Sequence, residues 1–322
     1  MRLVVQIPCL NEEKTLPAVI ESIPRTIAGV DEVKILVIDD GSSDNTSKVA
    51  KASGADVVIR HRKNRGLAEA FRSGMDYALA HGADIIVNTD GDNQYPQGRI
   101  ADLIEPIVSG RADIVLGDRR THRIKHFSPA KKALQYIGSQ VVSFSAGVKI
   151  PDAGSGFRAY SRLSALRLNL VTKYSYTIET IIQAGYKDLA IETIPIGTNP
   201  KTRESRLFRS TPEHVLKSGA AIIRSLLMYR PYTFFGWVAV ISGIFGLIPF
   251  ARYVYVVFAG LPGQFIQSLL IGVALLTAAF LSLALGIIAD LLRVNRQLIE
   301  DELALQKAHQ DEQSLADLLR DE

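Results

Sequence analysis

Asp90 and Asp92 stand one residue apart around Gly91, in the run Asp84-Ile85-Ile86-Val87-Asn88-Thr89-Asp90-Gly91-Asp92-Asn93-Gln94-Tyr95-Pro96. Two carboxylates this close repel each other unless a positive charge lies between them. A hard divalent cation, held by one or two carboxylates and completed by substrate phosphate oxygens, relieves that repulsion. A solvated turn uses the same residue types, so the pair alone does not decide between the two. Its setting is more telling. Ile85, Ile86 and Val87 form a short β-branched run of the kind buried in a parallel strand, and the polar cluster with Pro96 ends that run in a loop.

The same arrangement repeats along the first third of the chain. An apolar strand over Arg2–Pro8 ends in Cys9-Leu10-Asn11-Glu12, and another over Val33–Ile38 ends in Asp39-Asp40-Gly41-Ser42. A strand over Asp56–Arg60 leads to Asn64-Arg65-Gly66, and one over Ala112–Leu116 leads to Asp118-Arg119. Helical periodicity separates them, at about 13–27, 44–53, 67–80 and from Pro96 to about Ser109. Strand and helix in alternation with short turns predict an α/β domain, a mostly parallel sheet with helices on both faces. Ligands of such sheets bind beyond the carboxyl ends of the strands, where all five polar clusters fall. The chain has no Gly-x-Gly-x-x-Gly after the first strand and no phosphate-binding Gly-x-x-x-x-Gly-Lys-Ser/Thr, which counts against a dinucleotide oxidoreductase and a P-loop phosphotransferase.

Five stretches in this order carry a resemblance: Ile7-Pro8-Cys9-Leu10-Asn11-Glu12, Val37-Ile38-Asp39-Asp40-Gly41-Ser42, Asn64-Arg65-Gly66, Asp90 to Pro96, and Asp152-Ala153-Gly154-Ser155-Gly156-Phe157-Arg158. Over roughly residues 1–230 the chain resembles a GT-A glycosyltransferase of family 2, within it the polyprenyl-phosphate glycosyltransferases such as dolichyl-phosphate mannose synthase. The resemblance implies a Rossmann-like GT-A domain and a nucleotide-sugar site made by Pro8, Asn11, Glu12, Asp39, Asp40, Gly66, Asp90, Gly91, Arg203 and Arg206. It implies a divalent metal, Mg2+ or Mn2+, near Asp90, Asp92 and Gln94. Arg119, Lys131, Lys132 and Ser139 would hold the acceptor phosphate, and Asp92, Arg119 and Arg206 are the catalytic candidates. Many relatives carry Gly-x-Ser-Lys where this chain has Arg203-Glu204-Ser205-Arg206, so the cation that closes on the diphosphate is open. The implied reaction is inverting transfer of a hexose from a UDP- or GDP-sugar to an undecaprenyl or dolichyl phosphate. Cys9 reads as a small residue closing a strand.

Mean hydropathy is +0.13, high for a soluble enzyme, and the apolar residues concentrate after Tyr232. Tyr232–Ala251 and Phe265–Ala289 are uncharged runs, each long enough at ~1.5 Å per residue to cross a ~30 Å hydrocarbon layer. Arg224, Arg230, Arg293 and Arg296 flank them, which predicts a cell-membrane hairpin with the catalytic domain and both termini on the cytoplasmic side. The expected organisation is a GT-A domain over 1–210, an interfacial amphipathic helix over 211–230, two spans over 231–290 and a helical tail over 291–322. A helix from Ser128-Pro129 to about Ala146 carries Leu134, Ile137, Val141 and Phe144 as an apolar stripe beside a basic stretch. The expected partners are a nucleotide sugar, a polyprenyl phosphate and the bilayer; no nucleic acid is expected, and the lone spans leave lateral surface for a homo-oligomer. A single cysteine excludes an internal disulfide, and no secretory signal peptide is expected ahead of the first strand. Three rivals stand beside this reading, of which a nucleotidyltransferase would put a Gly-rich, Arg-containing loop after the first strand, where this chain has Cys9-Leu10-Asn11-Glu12. A processive polysaccharide synthase usually carries Gln-x-x-Arg-Trp, whereas the sole Trp237 lies within a membrane run. An inert membrane adaptor with a degenerate transferase domain would not need the intact carboxylates.

Overall fold

The computed structural model describes residues 1–121, 129–170, 176–200, 219–220, 223–224, 226–260 and 266–318, with the side chains of 129–131 and 307–318 left aside. The chain divides into two compact units, Met1–Ile222 with Glu300–Glu322, and Ile223–Ile299.

The first unit is built on a seven-stranded sheet of order β3-β2-β1-β4-β6-β5-β7. Its strands are β1 (Arg2–Cys9), β2 (Glu32–Asp39), β3 (Val57–Arg60), β4 (Ile85–Asn88), β5 (Ile114–Asp118), β6 (Arg158–Ser161) and β7 (Ile191–Pro195). β1 pairs in parallel with β2 and β4, β2 with β3, and β5 with β7. β6 runs antiparallel between β4 and β5, with Asn88 opposite Arg158. The central strands are continuous Val/Ile/Leu runs because helices cover both of their faces. Leu3, Val5, Ile7, Ile35, Val37, Ile85 and Val87 pack on one side with Leu16, Val19 and Ile20 of α1 (Leu16–Ser22) and Ile100 and Leu103 of α4 (Ile100–Val108). Truncating one such side chain to Ala costs ~2–5 kcal/mol.

Helices α2 (Thr46–Ala52) and α3 (Leu67–Ala80) complete the first half. α3 buries Phe71, Met75, Ala78 and Leu79 at helical spacing and turns Arg72 and Asp76 to solvent. Gly74 lets it lie flush on the sheet, because a Cβ there would come within 2.2 Å of Gln6 Oε1 and 2.8 Å of Ile38 Cδ1. α4 accommodates Pro106 in its last turn, with Ser109 N still donating to Glu105 O at 2.9 Å, and ends ahead of Gly110, whose φ of +72° turns the chain away. Then come α5 (Pro129–Ala146), α6 (Arg162–Arg167) and α7 (Tyr176–Tyr186). α5 ends where expected, at Gly147 with φ +72°.

The second unit holds α8 (Pro231–Phe258) and the start of α9 (Ile266–Leu318), the two helices long and apolar enough to cross a membrane. Their most apolar windows are 11% and 22% buried, so neither is the core helix of a soluble fold. They approach through glycines: a Cβ on Gly272 would meet Gly246 O and the Phe250 ring at 3.0 Å. α9 runs without a break through the expected boundary at 290/291.

Candidate active site

The polar clusters at the strand ends form one connected framework. After β1, Asn11 takes a left-handed conformation (φ 57°) and ties the first loop to the second. Its backbone N–H donates to Ser42 Oγ at 2.9 Å, and its Oδ1 accepts from Ser43 N at 2.8 Å. Glu12 N donates to Thr46 Oγ1 at 2.9 Å, and the Thr15 hydroxyl lies 2.9 Å from Glu12 Oε2 and 2.7 Å from Gly91 O. The loops after β1, β2 and β4 are thereby held together.

At the end of β2, the buried Asp39 carboxylate accepts from Ser42 N at 2.8 Å and from the Ser47 hydroxyl, with Arg60 Nε 3.6 Å away. Asp40 works on the loop after β3. Its oxygens accept from Arg65 N at 2.9 Å and Gly66 N at 2.8 Å, and Oδ1 lies 2.7 Å from His61 Nδ1. Asp40 therefore shapes the Asn64-Arg65-Gly66 loop from behind. Pro8 lies within β1, directly ahead of that strand's last residue.

Past β4, Asp90, Asp92 and Gln94 are half-buried. Asp92 Oδ1 accepts from Gln94 N at 3.1 Å, and the left-handed Asn93 (φ 59°) turns the chain between them. Both Asp90 oxygens lie against Gly156: a Cβ built there would come within 3.0 and 3.1 Å of them and 2.9 Å of the Tyr176 hydroxyl. Gly91 lies over Cys9, with Sγ 2.8 Å from where its Cβ would be. Burial, then the fields of Glu12, Asp39 and Asp90, push the Cys9 thiol well above its ordinary value. The thiol stays protonated, as befits a packing residue.

Arg119 is buried and committed. Its Nε and Nη2 donate to the two oxygens of Asp152 at 2.7 and 2.9 Å. Burial opposes its charge, but Asp152, Tyr95 and Asp90 more than offset that and raise its pKa. For Asp152 burial pushes upward, yet the Arg119 ion pair and hydrogen bonds hold the carboxyl below its ordinary value. Among the described residues Arg119 Nη1 makes no hydrogen bond, leaving one donor edge of a fixed cation for an incoming anion. Ser139 is buried, its Oγ accepting from Ala153 N at 3.2 Å, so it anchors the Asp152 loop to α5. Lys132 is half-buried on α5; the Lys131 side chain, Arg203 and Arg206 lie outside the described residues.

Four residues that sequence reasoning did not single out hold this framework. Asn88 Nδ2 donates to Gly156 O at 2.8 Å and to the Tyr176 hydroxyl at 3.0 Å, while its Oδ1 accepts from Gln6 at 3.0 Å. A buried Asn inside an apolar strand was the available signal. Burial first, then Asp90, lifts the Tyr176 phenol well above its ordinary value and keeps it protonated. Arg158, fully buried, donates to Ser155 O, Ala153 O, Thr177 O and Thr180 Oγ1 at 2.7–2.9 Å, fastening the Asp152 loop to α7. Asn199 takes three successive carbonyls of the Asp92 loop. Its N–H donates to Gln94 O at 2.9 Å, and its Nδ2 lies 3.1 Å from Asn93 O and 3.2 Å from Tyr95 O. No local pattern announces Asn199, because its partners are over a hundred residues away.

Among the described residues no three Asp, Glu, His or Cys side chains converge as a metal cage. Two half-buried carboxylates fit instead a hard cation that keeps waters and takes its remaining oxygens from a diphosphate.

A mostly parallel sheet with one antiparallel strand and acids at its carboxyl ends is the architecture of a GT-A-like fold. The chain belongs to glycosyl transferase family 2, which it matches over residues 4–167, and it is a glycosyltransferase. It is 31% identical over 214 residues to the UDP-N-acetylglucosamine–dolichyl-phosphate N-acetylglucosaminyltransferase of Methanococcus voltae, covering 60% of this chain and 83% of that one. It is 28% identical over 206 residues to the undecaprenyl-phosphate mannosyltransferase of Micrococcus luteus, covering 61% and 83%. Among solved structures it resembles glucosyl-3-phosphoglycerate synthase from Mycobacterium tuberculosis in complex with Mn2+, UDP-glucose and phosphoglyceric acid, at TM-score 0.54 and 26% identity over 70% of this chain and 78% of that one.

Proposed function

We propose that this glycosyltransferase moves a hexose, with inversion, from a nucleoside diphosphate sugar to a polyprenyl phosphate at the cytoplasmic face of the membrane. The observation that carries the lipid acceptor is the presence, in one chain with a family 2 domain, of two largely exposed helices long and apolar enough to cross a membrane. The relatives whose names specify dolichyl and undecaprenyl phosphate acceptors support the same reading. A UDP-hexose is the first donor to test, as both the Methanococcus voltae relative and the solved structure are named with UDP-sugars.

A phosphate monoester acceptor needs no general base, since its second pKa is about 6 and it is mostly dianionic at neutral pH. The chain's task is to handle charge and orientation. Asn11, Glu12 and Asp39 line the nucleoside end, and the Asp40-braced loop at Gly66 flanks it. Asp92, with Asp90 and Gln94, would hold Mg2+ or Mn2+, which supplies charge neutralisation for the departing diphosphate. Arg119, held rigid by Asp152, meets the attacking dianion together with Lys131 and Lys132. Arg203 or Arg206 closes on the diphosphate. Arg224, Arg230, Arg293 and Arg296 orient the hairpin with these groups on the cytoplasmic side.

The test is transfer from labelled UDP- and GDP-hexoses in membranes supplied with undecaprenyl or dolichyl phosphate. Label is expected in the organic extract, lost in Asp92→Ala and Asp92→Asn and in excess chelator. Label appearing only on a water-soluble phosphate such as phosphoglycerate would overturn the lipid acceptor; undiminished transfer in chelator would remove the metal.

A further inference from the structure

Asp40, His61 and Ser73 stand in a line across three elements. Asp40 directly follows β2, His61 directly follows β3 and Ser73 lies on α3. His61 Nδ1 is 2.7 Å from Asp40 Oδ1, and its Nε2 is 3.0 Å from Ser73 Oγ. Both the imidazole and the carboxylate are buried, His61 at 8% exposure and Asp40 at 4%. An ionised carboxylate only accepts hydrogen bonds, so Nδ1 turns its proton toward Asp40, and Nε2 of the neutral ring accepts from the Ser73 hydroxyl. Both ring nitrogens are thereby used, and the orientation of the imidazole is fixed from two sides.

What the line fastens is a loop. Arg62, Lys63, Asn64 and Arg65 are exposed, and the loop they form is held at its base. At the entrance, His61 N donates to Asp39 O at 2.9 Å. At the exit, Arg65 N donates to Asp40 Oδ1 at 2.9 Å and Gly66 N to Asp40 Oδ2 at 2.8 Å. The exit turn needs a glycine, because Gly66 has a φ of +96°. Gly41 lies close by, where a Cβ would come within 2.7 Å of Asn64 N. Asp40 therefore meets the loop at both ends, and the plane of its carboxylate decides where the amides of Arg65 and Gly66 sit. His61 sets that plane by holding Oδ1, while Ser73 keeps the ring from turning away.

We propose that His61 is a positioning residue for the donor nucleotide: acting through Asp40, it fixes the backbone of Arg65 and Gly66 and with it the loop that flanks the nucleoside. The nucleotide half of this statement rests on the donor reading above; the clamp on the loop does not. His61 touches no reacting atom in this scheme, so its effect falls on donor affinity and leaves the chemical step alone.

The test compares His61→Asn with His61→Gln in the full-length chain in detergent. The Asn amide falls near the place of Nδ1 and keeps a donor for Asp40, whereas the Gln amide reaches the place of Nε2 and keeps the Ser73 contact instead. Both remove the ring, so lost packing alone lowers the unfolding midpoint of the two alike. Amide hydrogen exchange in peptides spanning 62–67 is expected to quicken roughly tenfold in His61→Gln and to stay near wild type in His61→Asn. In calorimetric titrations with Mg2+ present, UDP or GDP is expected to bind His61→Gln roughly tenfold more weakly and His61→Asn within about twofold of wild type. In transfer assays the donor KM of His61→Gln should rise in step, with kcat and the polyprenyl phosphate KM unchanged. Ser73→Ala keeps the whole ring but frees it to turn, and gives the same pattern at about threefold should His61→Gln not fold. Loop exchange that is equal in the Asn and Gln variants overturns the clamp, as does exchange unchanged in Ser73→Ala. Faster exchange with unaltered nucleotide affinity overturns the link to the donor. A wild-type chain that binds neither nucleotide overturns the donor reading itself, and the exchange comparison still decides the clamp.

Discussion

Arg119 and Asp152 bind each other so closely that neither can be changed alone without leaving a buried charge. Asp152→Asn is expected to cost ~3–5 kcal/mol of stability at pH 7. The folded-state pKa of Asp152 is depressed, so its contribution is complete above the ordinary carboxylate value of 3.8 and disappears as pH falls through the lower folded value. Thermal unfolding in detergent should show wild type and variant well separated at pH 7 and converging only in strong acid. Asn199 acts on a different part of the site. Removing its amide in Asn199→Ala leaves the carbonyls of Asn93 and Tyr95 without that donor, at ~1–3 kcal/mol if they stay buried. Because those residues flank Gln94 in the Asp92 loop, the expected effect is a higher Mn2+ concentration for half-maximal transfer, together with a lowered unfolding midpoint. A lower maximal rate at unaltered metal dependence would assign Asn199 to another role.

At the scale of elements, α3 shows how closely the helices sit on the sheet. Gly74→Val would drive a branched side chain into Gln6 and Ile38 and is expected to cost ~1–3 kcal/mol, read as a lowered unfolding midpoint. The strands β1, β2, β4 and β5 were legible because a doubly covered strand must be apolar along its whole length, and α3 because its apolar period is uninterrupted. β6 and β7 were not. Arg158-Ala159-Tyr160-Ser161 has no apolar run, and its strand character comes from being clasped between β4 and β5. The N-terminal boundary of α1 was placed too early, at about residue 13, because Glu12 to Thr15 form a turn before the helix begins at Leu16. The placing of Asp39, Asp90 and Asp92 at strand ends could be read from the sequence. The commitment of Arg119 to Asp152 and the grip of Asn199 depend on contacts between distant segments, which local spacing does not encode.

At the scale of the molecule, the direction of β6 decides how the site is divided. A parallel strand would deliver its carboxyl end to the cleft, whereas β6 runs the other way and delivers the loop that precedes it, Asp152 to Phe157. On the proposed reading, the nucleotide-facing groups hang from the trailing ends of β1, β2 and β4, and the acceptor-facing groups from the segment between β5 and the leading end of β6. These are separate stretches of chain that meet along the β4–β6 ladder and around Gly156, which abuts Asp90 and bonds Asn88 and the Tyr95 hydroxyl. Exchanging residues 119–157 with those of a relative is expected to alter which prenyl phosphate is used while donor nucleotide choice, measured by competition among UDP- and GDP-sugars, stays the same. If that division holds, a single reversed strand lets acceptor preference diverge while the donor half stays unchanged.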